Sequence, residues 1–207
     1  TPNDPSRSHF LIKYGNNHYI QYTNKDNKNA LTFILEKREY YLALEIFEKK
    51  AYQINKKIKH KHLLFWIIES QIENLALKLL HDNVNNIDLN IYYNQESIVH
   101  YALKNKMKKL TLELIKYINI NIINYKNNSS DNIMFMCINL EYYEVIEELL
   151  KKKELDVNAI NQYGDNALIL LIHKKHYELA EKLLHFNDID KYHITPNGIQ
   201  ALDLIND

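Results

Sequence analysis

The chain has 207 residues, enough for one or two ordinary domains, and 46% of them are apolar, enough for a sizeable core. Lysine plus arginine balance aspartate plus glutamate at 26 each, whereas a nucleic-acid binder or a polybasic membrane-surface protein would carry a basic excess, so neither class of partner is expected. The single cysteine, Cys137, excludes an internal disulfide framework and cannot build a thiolate zinc site alone.

The longest apolar run, LLFWII at 63–68, is too short to cross a bilayer, and nothing at the start reads as a signal peptide. The first residue is Thr1 rather than methionine, which is expected of a fragment of a longer protein. Asparagine, lysine, isoleucine and tyrosine (16 Tyr) are over-used, as an AT-rich genome favours. Glycine and proline number three each. Asparagine is therefore expected to fill many of the left-handed turn positions that glycine normally takes.

In chain order, the first element is HFLIKYGNNHYIQY at 9–22. It alternates apolar and polar residues around Gly15-Asn16-Asn17, which predicts a β-hairpin. Residues 1–23 would form an N-terminal cap, with Phe10, Ile12 and Tyr19 covering the apolar flank of the first helical unit, or the tail of an upstream domain. From residue 24 the pattern turns helical. NALTFILEK (29–37) precedes YLALEIF (41–47), HLLFWIIES (62–70) precedes NLALKLL (74–80), and SIVHYALKN (97–105) precedes KLTLELI (109–115). DNIMFMCI (131–138) then precedes YYEVIEELL (142–150), DNALILLI (165–172) precedes HYELAEKLL (176–184), and QALDL (200–204) opens one more unit.

These blocks are copies of one another. The starts Asn29, His62, Ser97, Asn132, Asn166 and Gln200 are separated by 33, 35, 35, 34 and 34 residues. Each unit predicts two short helices. The second carries one apolar stripe, as at Leu179, Ala180, Leu183 and Leu184. The first is apolar nearly all round, as expected of a helix held between neighbours. One such pair cannot bury its own apolar surface, so stacked copies must share a core.

In its turns and helix starts the unit resembles the ankyrin repeat. Asp156-Val157-Asn158-Ala159 reproduces that family's turn, with Asp88-Leu89-Asn90 and Ile54-Asn55 as weaker copies. Ser97-Ile98-Val99-His100-Tyr101-Ala102 is similar to its helix start, Asn161, Gly164, Asn166, Ala167 and Leu168 resemble another, and His176 stands at its Gly-His site. Most repeats depart from the pattern by lacking its glycines, and none keeps its Thr-Pro pair. The resemblance implies an all-α, ankyrin-type helical solenoid over 24–207, of five full repeats and a partial sixth, behind a short N-terminal β-hairpin. The sixth unit lacks a second helix, so either more chain is expected to follow or residues 187–207 are expected to be the least protected part.

By the same resemblance the chain would be a protein-interaction module, without cofactor or metal, whose contacts fall on turn tips and first helices. The positions concerned include Lys25, Asp26, Lys28, Lys37, Lys59 and Lys61, then Tyr93, Asn94, Glu96, Lys104 and Asn105. Asn128, Asp131 and Asn139 come next, and Gln162, Tyr163, Asp165, His173 and Lys174 close the series. Tyr93 and Tyr163 are the best hot-spot candidates, since tyrosine brings large contact area at low entropy cost, or they are exposed loop tyrosines that reflect the tyrosine-rich composition. The lysines at 25, 28, 37, 59 and 61 would give a basic end suited to an acidic partner, or simply a solvated face. The expected partner is another protein, a host protein among the candidates, bound by a monomer. Degenerate ankyrin-like repeats with AT-rich composition resemble secreted effectors of intracellular bacteria and proteins of large viruses or protists, which implies a cytoplasmic or host-cytosolic location.

Chemical sites are few. His173 and His176, and His60 and His62, lack the further pair that zinc requires. Cys137 falls where a small buried residue is expected and reads as core. The lysine runs at 56–62, 104–109 and 151–153 are expected at helix ends or on solvent faces. Asn17-His18-Tyr19 resembles the strand that carries the catalytic histidine of ovarian-tumour-type cysteine proteases, which remove ubiquitin. That resemblance implies an alternative: a substrate-recognition domain of a larger enzyme, with His18 as general base for an upstream cysteine. A third reading is a spacer with no preferred face. This chain alone is not expected to be an enzyme.

Overall fold

The computed structural model describes residues 22–205 apart from 26, 27, 51 and 202. The hairpin expected over 9–22, with His18, lies outside the described residues but for Tyr22, as do Asp26 and the last two residues. The chain divides into two compact units, the first ending at Tyr93 and the second beginning at Asn94.

In unit 1, α1 (Ala30–Glu36) and α2 (Tyr40–Glu48) are succeeded by a two-strand hairpin, β1 (Lys57–Ile58) and β2 (Lys61–His62), then α3 (Leu63–Glu69) and α4 (Glu73–Asn83). The strands are antiparallel, with Lys57 opposite His62 and Ile58 opposite Lys61. Unit 2 holds α5 (Ile98–Lys104), α6 (Lys108–Tyr117), α7 (Ile120–Ile123), α8 (Ile133–Leu140), α9 (Tyr143–Leu149), α10 (Ala167–His173) and α11 (Tyr177–Leu184), then a 3-10 turn at Asp203–Ile205. First helices pack on first helices: α1 on α3, and α5 on α8 on α10. Second helices form the other layer, α2 against α4 and α6 against α9.

Four of the five first helices start where the sequence supplies an oxygen to an orphan backbone donor. Asn29, Asn132 and Asn166 accept from the backbone N–H of Thr32, Phe135 and Ile169, at 2.9, 2.9 and 3.0 Å. Ser97 does the same for His100 at 3.4 Å. Thr32 in turn accepts from the Asn29 N–H, which closes a capping box. In α3, capped by no side chain, the apolar run Leu63–Ile68 is buried throughout, as expected of a helix covered on all sides.

Between the two helices of each repeat one residue turns left-handed. These residues are Arg38, Gln71, Lys106, Glu141 and Lys175, with φ of 57, 61, 59, 60 and 57°. The expectation that asparagine fills such positions does not hold. Of the eleven described non-glycine residues at positive φ, only Asn94 is an asparagine. Asparagine instead orders the loops by hydrogen bonding through its side chain. Asn55 accepts from the Asp88 N–H and donates to the Asn86 carbonyl, at 2.9 and 2.8 Å. Asn124 holds Asp156 and Glu154 in the same way, and Asn158 holds Asp190 and Asp188. Each amide thereby ties one repeat's loop to the next through both its oxygen and its nitrogen.

Two further features differ from the expectation. The polar stretch after α6 contains the short helix α7, capped by Asn119 accepting from the Ile122 N–H at 3.1 Å, and it buries Ile122 and Ile123. The lysine run at 56–62 meets the β1–β2 hairpin rather than a helix end, with Lys59 and His60 at its turn in left-handed conformations; Lys56, Lys57 and Lys59 are exposed, as the expected solvent face has it, while Lys61 is buried. The partial sixth repeat has a β-bridge from Ile194 to Gln200, and its 3-10 turn packs on α10. Beside α11 lies a groove of about 500 Å³ lined by apolar residues that include Ile172, Tyr177, Ala180 and Leu184.

Candidate functional site

The turn tips are built by a recurring five-residue loop. Asn127 pairs its backbone with Asp131 while its side chain accepts from the Ser129 and Asp131 N–H groups. Asn161 does the same with Tyr163 and Asp165. Thr195 and Ile199 close another such loop, as Asn24 and Lys28 do in unit 1. In the three loops of unit 2 the fourth residue is left-handed: Ser130, Gly164 and Gly198 at φ of 60, 84 and 80°. Gly164 is required for a second reason, because a Cβ there would lie 2.3 Å from Pro196 Cδ. The loop's own side chain thus satisfies its backbone, and the residues at its centre are left to solvent.

Gln162 and Tyr163 are exposed, Tyr163 to 67%. Asn94 and Asn128 are exposed at the matching tips. Lys104, Asn139, His173 and Lys174, at the ends of first helices, are exposed as well. Glu96, Asp131, Asp165 and Asn105 are half-buried. Tyr93 is also half-buried: its ring lies 5.7 Å from that of Phe65, and the Lys61 ammonium sits 4.4 Å from its centroid. This ring is therefore part of the packing of unit 1.

A pairing that no sequence motif singled out emerges at the residue just before each first-helix cap. In unit 1 this residue is a lysine bound to a glutamate eight residues later. Lys28 pairs with Glu36 at 2.6 Å, and Lys61 with Glu69 at 2.5 Å. Lys61 is only 6% exposed, and its ammonium also lies 4.4 Å over the Trp66 ring. Of the five lysines expected to form a basic end, Lys28 and Lys61 are thus paired within unit 1. In unit 2 the same register holds Glu96, Asp131 and Asp165. Glu96 reaches Lys104 only at 3.7 Å, and its Oε2 is buried without a hydrogen-bond partner. Neither aspartate has a cation within pairing distance among the described residues. The recurring i, i+8 spacing at a fixed repeat position is visible in the sequence and is the signal that would find these pairs.

Between these acids and the exposed helix ends, Tyr101, Met136 and Leu170 occupy equivalent positions on α5, α8 and α10, and all three are half-buried. Burial raises the Asp131 carboxyl above its ordinary range. His100, buried beneath, bridges two repeats. Its Nδ1 is 2.7 Å from Ser97 Oγ, and its Nε2 donates to the Asp131 carbonyl at 3.2 Å. Burial lowers its pKa from 6.5 to about 4, so the ring is neutral at pH 7.

Cys137 is fully buried, and burial pushes its thiol well above the usual range, which removes it from nucleophilic chemistry. His176 precedes α11 and stacks on Tyr143 with centroids 4.0 Å apart. Among the described residues there is no group of three or more His, Cys, Asp or Glu able to hold a metal ion. None of their helices is long and apolar enough to cross a membrane.

No protein-family model matches the chain, and no curated protein matches it. Solved structures do. EF0377, described as an ankyrin repeat protein, is 18% identical, with a TM-score of 0.64 over 89% of this chain and 92% of that one. A chain in the structure of the Bd0816 predatory endopeptidase from Bdellovibrio bacteriovorus in complex with immunity protein Bd3460 is 19% identical, with a TM-score of 0.61 over 89% and 92%. With paired short helices in two layers, a loop tip before each first helix and these neighbours, the chain has the fold of an ankyrin-repeat protein.

Proposed function

We propose that the chain is a protein-interaction module that binds its partner through the loop tips and first-helix ends of unit 2. The observation that carries this reading is the division of labour within each tip. Asn127, Asn161 and Thr195 bond the loop to itself, so Asn128, Gln162 and Tyr163 contribute little to the fold and stand exposed. A tyrosine held at a rigid tip brings large contact area at little entropic cost. One of the neighbours in fold is a chain from a complex between two proteins, which is consistent with such use.

Tyr163 is the cleaner of the two tyrosine probes, since replacing Tyr93 would also disturb its contacts with Phe65 and Lys61. The test is capture from a eukaryotic cell lysate on the whole chain beside a Gln162→Ala/Tyr163→Ala variant. The expected result is a protein retained by the first and lost by the second. Capture indifferent to both substitutions would move the site elsewhere, and no capture by either would favour a spacer.

A further inference from the structure

Resting on that reading, we propose that unit 2 selects a partner segment that is basic and apolar in alternation, with lysine or arginine on the row Glu96, Asp131 and Asp165 and apolar side chains on the strip Tyr101, Met136 and Leu170. Charge is left over at one repeat position. In unit 1 that position is satisfied from within, by Lys28–Glu36 and Lys61–Glu69. In unit 2 the sign reverses, and the internal partner is distant at Glu96 and absent among the described residues at Asp131 and Asp165. Eight residues on stand Lys104, at 3.7 Å from Glu96, then Asn139 and His173.

Other cations of unit 2 near this register are already engaged. Lys126 donates to the Ile160 carbonyl at 3.1 Å, and Lys174 pairs with Glu141 at 3.1 Å. The Asp165 carboxylate is met by the Asn161 amide, at 3.2 Å, which brings no charge. A half-buried carboxylate without a counter-ion is costly to hold, and an incoming cation would relieve that cost.

The second element is independent of charge. Tyr101, Met136 and Leu170 recur 35 and 34 residues apart, and each is only partly covered while its neighbours on the same helices, such as Ala102, Phe135 and Ile169, are buried. A strip of partly covered apolar side chains edged by three carboxylates, two of which lack a close cation, complements a segment that offers apolar and basic groups together. An acidic or purely polar segment would leave one of the two rows unmatched.

The test uses the whole 207-residue chain and a fluorescent peptide of alternating arginine and leucine, with its glutamate–leucine counterpart, monitored by anisotropy. The variant is Asp131→Asn/Asp165→Asn, which keeps the shape and one of the two acceptor oxygens at each position while removing the charge. The control, Glu178→Gln/Glu181→Gln, removes as many exposed charges from α11. The arginine peptide is expected to bind the control as it binds the unaltered chain, and to bind the variant at least about tenfold more weakly with a shallower salt dependence. Equal weakening by both double variants, or equal binding of the glutamate peptide, would overturn the proposal. A captured protein lost on Gln162→Ala/Tyr163→Ala yet kept on Asp131→Asn/Asp165→Asn would sink the basic-partner inference alone and leave the interaction module standing.

Discussion

Units 1 and 2 are made of the same repeat, yet they use the same positions differently. Before its first-helix caps unit 1 places lysines that are tied to glutamates and aromatic rings. Unit 2 places carboxylates there and leaves two of them without a counter-ion among the described residues. Where unit 2 buries His100 under this surface, the matching residue of unit 1 is Phe65. The backbone is common to both, so the difference lies in side chains the fold does not need. A repeat position that is internally neutralised contributes to stability, and one left open is available to a partner.

The largest effect that separates the units concerns pH. Below pH 6.5 the unfolded chain takes up a proton on His100 that the folded chain refuses until about pH 4. The contribution of His100 to stability is therefore full above pH 6.5 and falls as pH drops through that window, by about 3 kcal/mol. His100→Phe, which copies Phe65 and Phe135, is expected to flatten this limb in urea titrations across pH 7 to 4. An unchanged limb would place the acid sensitivity elsewhere.

Next in size is Lys61→Ala, which removes a nearly buried cation from Glu69 and two rings and is expected to cost about 2 kcal/mol. At the same register in unit 2, Asp165→Ala is expected to cost less than about 0.5 kcal/mol. Equal costs in denaturant midpoints would erase the contrast between a structural and an open position. Asn158→Ala deletes an amide bonded to two backbone groups of the following loop, and about 1 kcal/mol should be lost. Asn55→Ala in unit 1 should lose a similar amount, because the clamp is common to both units. Smallest is Lys106→Gly. It relieves a left-handed backbone that a side chain disfavours, for a gain of about 0.5–1 kcal/mol, and Gln71→Gly should match it.

Much of this architecture was legible because it arises from period and pattern. The block starts Asn29, Ser97, Asn132 and Asn166 are the observed caps, since an oxygen-bearing side chain before an apolar run has one favourable use. The helix pairs were implied by their stripes. The role of asparagine was misread because composition says which residue is abundant, not whether its backbone or its amide does the work. Helix α7 escaped notice because a four-residue helix carries no period of its own. The loop-tip residues were implied by the resemblance, but the burial of Tyr93 was not, since its cover comes from Phe65 and Lys61, distant in sequence. Whether a given charge is paired is likewise a fact of three dimensions, although the i, i+8 spacing hinted at it.

If the loop tips of unit 2, rather than its second helices, meet the partner, site-specific photo-cross-linking will show it most directly. A photoreactive phenylalanine analogue replaces either Tyr163 at a tip or Tyr117 at the end of α6, both exposed, and the whole chain is irradiated in a eukaryotic cell lysate. One discrete protein adduct is expected from position 163 and none from position 117. An adduct from 117 with none from 163 would contradict the assignment of the binding face.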